Sequence, residues 1–203
     1  MITLYFIRHG ETYWNASGQY QGSTDVALTP EGIRQAALVT KRFLNIPLDA
    51  VISSPLKRAS DTAKGIADSH SLELQVDSHF SELCFGDWEG KTFSEIEERW
   101  PGMIDTMYHS PETIRFPHGD SFIDAQARAM EGIHSLLSGD EDKTYAIVCH
   151  GAIIRTLFCG LLDIPLIRAW NFCVFNASVS CLRCYPGDRN LLTYLNSTYH
   201  LDA

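Results

Sequence analysis

Short, almost unbroken apolar runs alternate along the chain with stretches whose apolar residues recur every three or four positions, and that alternation predicts an α/β fold. The runs Thr3 to Arg8, Ala50 to Ser53 and Tyr145 to Cys149 lack the in-and-out pattern of half-exposed strands, so they predict central parallel strands covered on both faces. Thr29-Pro30-Glu31 sets an N-cap, a first-turn proline and a carboxylate in order, and Ile33, Ala36, Ala37 and Leu44 then predict one helical face. Ser54-Pro55 predicts a second such start, with Leu56, Ala59, Ala63, Ile66 and Ala67 as its buried stripe and Arg58 in its first turn. Phe122, Ala125, Ala129 and Ile133 mark a third helix, and Ala152 to Leu162, apolar almost all round, a deeply buried fourth. Ser178 to Tyr185 and Asn190 to Leu195 read as strands joined by the turn Pro186-Gly187-Asp188. Between about 77 and 118 no period holds, which predicts a loop-rich insertion over the site, within a single domain spanning 1–203. The expected fold is a three-layer α/β sandwich, with a mainly parallel central sheet and helices on both faces.

Composition narrows the functional classes. Of 203 residues 45% are hydrophobic and 20% charged, ordinary usage for a globular chain with one core. The formal charge of -9 advertises no basic surface for nucleic acid or anionic lipid, so any bound anion must be held by a local cluster working against the global field. No apolar run reaches the roughly 18 residues a membrane span needs, and no basic region precedes Met1 to Ile7, so the expected location is cytoplasmic. Six cysteines are then expected as reduced thiols. The C-x-x-C pair Cys181 and Cys184 lies on a strand pattern that points its thiols to opposite faces, which argues against a metal or redox site.

The candidate chemistry gathers at strand ends. The first strand ends in Arg8-His9-Gly10-Glu11-Thr12 and a later one in Cys149-His150-Gly151, and ligands of open α/β sheets bind outside the carboxyl ends of the strands. Two histidines leaving strands at glycine turns can converge on one crevice. Arg58, from a helix start, gives that crevice a second guanidinium, and Arg presents a planar fork matched to phosphate oxygens. Asn15 and Gln21 are candidate neutral donors, with Gly22 and Gly151 as substrate-binding backbone. Phosphoryl transfer needs positioning, charge stabilisation, a nucleophile and a proton source. The cations Arg8 and Arg58 favour neutral His9, which keeps its imidazole competent to attack. Glu82, ahead of the aromatic and glycine cluster Leu83 to Gly90, is the candidate acid, since a neighbouring dianion favours a carboxyl that keeps its proton. No carboxylate cluster with metal-ligand spacing is evident, so neither metal nor cofactor is expected.

R-H-G-E-T at 8 to 12, Trp14-Asn15, the run from Gln21 to Gly32, S-S-P-L-K-R-A at 53 to 59 and H-G at 150 to 151 resemble the histidine phosphatase superfamily, also called the phosphoglycerate mutase-like family. The similarity runs over nearly the whole chain, with strong blocks at 4 to 34, 51 to 67, 82 to 92 and 147 to 158. It implies that His9 is phosphorylated, that Arg8, Arg58 and His150 bind phosphoryl oxygens, that Glu82 donates the proton, and that no metal takes part. The block E-L-C-F-G-D-W-E-G-K-T at 82 to 92 is more like the small phosphatase branch, which includes broad-specificity, α-ribazole and phosphoserine phosphatases. Pro117-His118-Gly119-Asp120-Ser121 departs from the family's usual glycine, glutamate and serine run, a departure on the leaving-group side.

The expected reaction is metal-independent hydrolysis of small phosphomonoesters through a phosphohistidine. Its expected partner is a small phosphorylated metabolite, with a homodimer admitted and nucleic acid and membrane excluded. Two alternatives remain. A mutase would share these residues and return the phosphoryl group to a second hydroxyl, whereas a silent phosphate-binding module of the same fold would usually have lost His9, Glu82 or an arginine, and none is lost here.

Overall fold

The computed structural model describes residues 1–139, 141–186 and 189–202. In chain order the elements are β1 (Ile2–Arg8), α1 (Tyr13–Ser17), α2 (Pro30–Phe43), β2 (Ala50–Ser53), α3 (Lys57–Ser69) and β3 (Leu74–Val76), then α4 (Phe93–Arg99), α5 (Met103–His109), α6 (Phe122–Leu137), β4 (Lys143–Cys149), α7 (Gly151–Leu161), β5 (Val179–Tyr185) and β6 (Arg189–Ser197). One six-stranded sheet has the order β3-β2-β4-β1-β5-β6. β3, β2, β4 and β1 run parallel, β5 is antiparallel to β1, and β6 is antiparallel to β5.

Strict alternation of side chains splits each central strand between two apolar layers. Ile2, Leu4 and Phe6 of β1 join Phe122, Ala125 and Ala129 of α6 and Ile153, Leu157 and Phe158 of α7 on one face. Ile7, with Val51 and Val148, joins Val39 and Phe43 of α2 and Ala59, Ala63 and Ile66 of α3 on the other. The three-layer α/β sandwich with a mainly parallel sheet is thus the observed fold. The thiols of Cys181 and Cys184 fall on opposite faces, and all six cysteines are free.

Two local expectations are corrected. In α2 the capping holds, since Thr29 Oγ accepts from Gly32 N at 3.0 Å. The buried face, however, runs through Gly32, Ala36, Val39 and Phe43, while Ile33 and Leu44 are 62% and 56% exposed. Val39 and Phe43 reach the sheet, and Gly32 faces Glu11 so closely that a Cβ would lie 2.0 Å from its carbonyl oxygen, which rotates the helix away from the Ile33 side. Ser54 is not the N-cap of α3, which begins at Lys57; Asp25 Oδ1 accepts from Lys57 N at 2.8 Å, and Ser54 turns to His150. The stripe Ala59, Ala63, Ile66, Ala67 is buried as expected. The segment 77 to 118 holds two 3-10 turns, Ser78–Phe80 and Gly86–Trp88, followed by α4 and α5. Gly187 and Asp188 of the expected turn lie outside the described residues.

Candidate active site

β1 and β4 pair in parallel with Arg8 opposite Cys149, so His9 and His150 leave neighbouring strands side by side. Their ring centroids are 5.2 Å apart. Next along the sheet, β2 ends at Ser53, and Ser54 N donates to Val148 O at 3.0 Å. The following helix α3 brings Arg58 under the same cleft. Gly10 lets the chain leave β1 against α2, since a Cβ there would lie 2.5 Å from Gly32 O. Thr62 Oγ then accepts from Gly10 N at 3.0 Å and donates to Arg58 O at 2.8 Å, which ties the strand end to α3.

A cleft of about 250 Å³ opens above these strand ends. Arg8, His9, Asn15, Gln21, Gly22, Arg58, Glu82 and Gly151 line it, all of them residues singled out in the sequence. His150 is fully buried beside His9 and is not itself part of the lining. Gly18, Gln19, Tyr20, Phe85, Tyr108, Ala152, Arg155 and Trp170 complete the wall, and none of them is among the candidate site residues of the sequence. Tyr108 comes from α5, inside the insertion, and packs edge-on against Trp170 at 4.8 Å. Arg155 lies over the Trp170 ring at 4.9 Å and donates to Phe172 O and Gly151 O. Three guanidiniums and one carboxylate among the lining residues make this the local positive cluster that a chain of charge -9 needs to hold an anion.

The electrostatics favour an anion and a neutral nucleophile. Burial, then Arg58, then Arg8 hold His9 well below the usual histidine range, so its imidazole is uncharged near neutrality. His9 Nδ1 donates to Gly10 O at 2.7 Å; a carbonyl only accepts, so the proton sits on Nδ1 and Nε2 carries the lone pair. Burial pushes the Arg8 guanidinium down to about 10, with Arg155 adding to the shift and Glu82 opposing it. Burial also lowers Arg58 and Arg155, against the pull of Glu82. Cations held in this way are stabilised by an incoming dianion.

Several donors are prepared and unused. Arg58 is fully buried, donates NH1 to Thr24 O at 2.8 Å and NH2 to Gly22 O at 2.7 Å, and leaves Nε without a partner. Arg8 donates NH1 to Val174 O at 2.8 Å and likewise leaves Nε free. His150 Nδ1 and Gln21 Oε1 are also buried and unpaired, so four of the seven unpaired buried side-chain polar atoms among the described residues belong to this site. Buried groups of this kind ordinarily find partners. Turning the Gln21 amide over would place its donor where Oε1 now stands, with Thr12 moving its one hydroxyl proton from Asn15 Oδ1 to the amide oxygen.

Glu82 reaches the site through α7: its carboxylate accepts from Ala152 N and Ile153 N, both at 3.3 Å, at the helix N-terminus. The loop Gly22 to Thr24, whose carbonyls grip Arg58, is held by Glu89, which accepts from Ser23 N at 2.8 Å, Thr24 N at 2.9 Å and Phe85 N at 3.0 Å. Asn176 Nδ2 donates to His9 O at 3.1 Å, Gly10 O at 3.3 Å and Asn15 Oδ1 at 3.0 Å. Glu89 lies within the 82 to 92 block, where its residue type alone gives it no role, and Asn176 carries no sequence signal, since it reaches His9 across the β1 to β5 pairing. His118 and Asp120 stay outside the lining. His118 pairs with Asp87 at 3.1 Å, and Asp120 accepts from Cys84 N at 3.2 Å, so the departure at 117 to 121 folds the neighbouring loop and does not line the cleft. Neither motif tryptophan lines the cleft, Trp88 being core; Trp170, outside the motifs, does.

A parallel sheet ending in a paired-histidine crevice, with Arg58 fully buried and Arg8 half-buried beside it, is suited to a phosphoryl group. Residues 4–197 match the model of the histidine phosphatase superfamily, branch 1, and the chain belongs to that family. It is 32% identical to phosphoserine phosphatase 1 of Hydrogenobacter thermophilus over 99% of this chain and 95% of that one. It is 34% identical to a probable phosphoglycerate mutase of Yersinia pestis, covering 89% of this chain and 84% of the other. The structure of a phosphoserine phosphatase variant from Entamoeba histolytica in complex with phosphoserine superposes with a TM-score of 0.85 at 36% identity, over 99% of this chain and all of that one.

Proposed function

We propose that the protein is a phosphatase that hydrolyses small phosphomonoesters through a phosphohistidine at His9. The observation that carries this reading is the set of unpaired buried donors on Arg8, Arg58 and His150 gathered around an imidazole whose Nε2 lone pair is free. A phosphoryl group accepts from all of them, and its charge relieves the crowding of buried cations.

In the first half-reaction His9 Nε2 attacks phosphorus, the bond to the ester oxygen breaks, and a protonated Glu82 gives its proton to the leaving alkoxide. In the second, water attacks the phosphohistidine, the carboxylate of Glu82 takes the water's proton, and inorganic phosphate leaves His9 neutral again. Arg8 and Arg58 hold the equatorial oxygens in both steps. Asn15, Gln21, Gly22 and Gly151 frame the phosphoryl end, and Tyr108, Trp170 and Arg155 meet the alcohol. The small, aromatic-walled cleft suits a metabolite better than a phosphoprotein.

Hydrolysis of p-nitrophenyl phosphate in excess chelator tests the reading. Wild type should turn over and yield acid-labile protein-bound phosphate; His9→Ala should do neither. Supplying 3-phosphoglycerate with a trace of 2,3-bisphosphoglycerate sets free phosphate against 2-phosphoglycerate, and isomerisation that outruns release would assign a mutase. The absence of any turnover would assign a silent phosphate-binding module.

The same reading takes residues 1–203 as one phosphatase domain in the cytoplasm. Among the described residues no helix is long and apolar enough to cross a membrane. A homodimer is the oligomeric state proposed, and light scattering at assay concentration decides it.

A further inference from the structure

Each of the two histidines has one ring nitrogen engaged within the protein. For His9 it is Nδ1, on Gly10 O, which leaves no choice about the proton. For His150 it is Nε2, 2.7 Å from Ser54 Oγ, and a hydroxyl can either give or take. Counting protons decides between the two. Ser54 is fully buried, and its oxygen already accepts from Leu56 N at 3.3 Å. Were His150 Nε2-H to donate to Ser54, that oxygen would accept twice, its own proton would have no acceptor, and His150 Nδ1 would be a bare lone pair. With the hydroxyl donating to Nε2, Ser54 is satisfied in both directions, and the single proton of a neutral imidazole moves to Nδ1. That atom is buried and has no partner in the protein.

We propose that Ser54 is a positioning residue that holds His150 in the Nδ1-H tautomer, so that its N-H donates to a phosphoryl oxygen. His9 and His150 then share one tautomer and use opposite nitrogens. His9 attacks with the lone pair on Nε2, and His150 donates from Nδ1. The assignment of the acceptor rests on the phosphatase reading above; the tautomer itself does not. Burial, then Arg58, His9 and Arg8, hold His150 well below the usual histidine range, which keeps it neutral with one N-H to place. The opposite tautomer would set a lone pair against an anionic oxygen and lose a hydrogen bond where charge builds up. The sheet makes this contact possible: Ser54 follows β2, His150 follows β4, and the two strands are neighbours.

Two-bond ¹⁵N-¹H correlation spectra of the ¹⁵N-histidine protein test the proposal, with His150 assigned by its loss in His150→Asn. Wild type should show His150 neutral, protonated at Nδ1 and unprotonated at Nε2, both free and with vanadate bound as a phosphoryl mimic. Vanadate should shift the Nδ1 proton and slow its exchange. Ser54→Ala should move His150 to the Nε2-H tautomer or to imidazolium and slow the p-nitrophenol burst roughly 10- to 100-fold, up to the lower end of the roughly 10² to 10³ that one lost transition-state donor costs. Ser54→Thr, which keeps the hydroxyl, should restore the wild-type pattern. A wild-type spectrum with His150 protonated at Nε2, free or bound, overturns the proposal and needs no variant to fold. So does a Ser54→Ala protein that keeps the wild-type tautomer. Wild type with the expected tautomer and no hydrolysis of p-nitrophenyl phosphate would overturn the phosphatase reading and the acceptor assigned to Nδ1, and would leave the tautomer standing.

Discussion

Replacing Arg58 by Lys keeps the charge and removes the fork. Arg58 grips two carbonyls, Thr24 O and Gly22 O, with its two terminal nitrogens and keeps Nε for a third acceptor. A lysine ammonium carries its three donors on one atom and cannot span that set. Losing one charge-assisted hydrogen bond costs about 1.5–3 kcal/mol, or roughly 3–12 °C in Tm at about 2–4 °C per kcal/mol for a chain of this size. Losing a preorganised donor to the transition state costs about 3 kcal/mol, on the order of a hundredfold in kcat/KM. Because the positive charge remains, the electrostatic hold on His9 keeps its sign, and the loss reports geometry. The assay pairs p-nitrophenyl phosphate kinetics, run well below the melting range, with thermal melts in increasing phosphate. For wild type, phosphate at a hundred times its Kd should stabilise by about 2.7 kcal/mol, an upshift of roughly 5–11 °C. Arg58→Lys should show less than half of that shift. A folded variant within threefold of wild-type kcat/KM, with the full phosphate shift, would refute the role given to the fork.

Other outcomes follow from the same geometry. Gly22 has φ +57°, and a Cβ there would lie 2.1 Å from Glu89 Oε1 and 2.8 Å from Phe85 N, so Gly22→Ala should destabilise by about 1–3 kcal/mol and loosen Arg58; an unchanged melting curve would contradict it. Glu82→Gln should slow the leaving-group burst with alkyl phosphates by roughly 10²-fold or more and with p-nitrophenyl phosphate far less; equal losses would remove Glu82 from the acid role. Burial is the leading cause that lowers His9, His150 and His200 below their unfolded value, so the unfolded chain binds more protons and stability falls as pH drops below about 6.5. Each such histidine contributes a slope of up to about 1.4 kcal/mol per pH unit, and His150→Asn should flatten the denaturation profile between pH 6.5 and 5; an identical slope would show that His150 is not buried neutral.

What could be read from the sequence by itself was whatever depends on near neighbours along the chain. Unbroken apolar runs marked β1, β2 and β4, because a strand covered on both faces needs no polar alternation. Arg8, His9, Arg58, Glu82 and His150 stood out because their chemical types fall beside glycine turns and helix starts in a known order. The α2 stripe was misread by local spacing, since which side of that helix turns inward depends on the approach of Glu11 to Gly32. Only the tertiary structure decided what distant segments do for one another. Strand order sets Ser54 against His150 across 96 positions, and the turn after Val174 sets Asn176 on His9 across 167. It also places Tyr108, Arg155 and Trp170 in one wall. A sequence carries the periodicity of each element, but the tautomer of a buried imidazole and the shape of a leaving-group pocket depend on which carbonyl or hydroxyl the packed sheet brings within 3 Å.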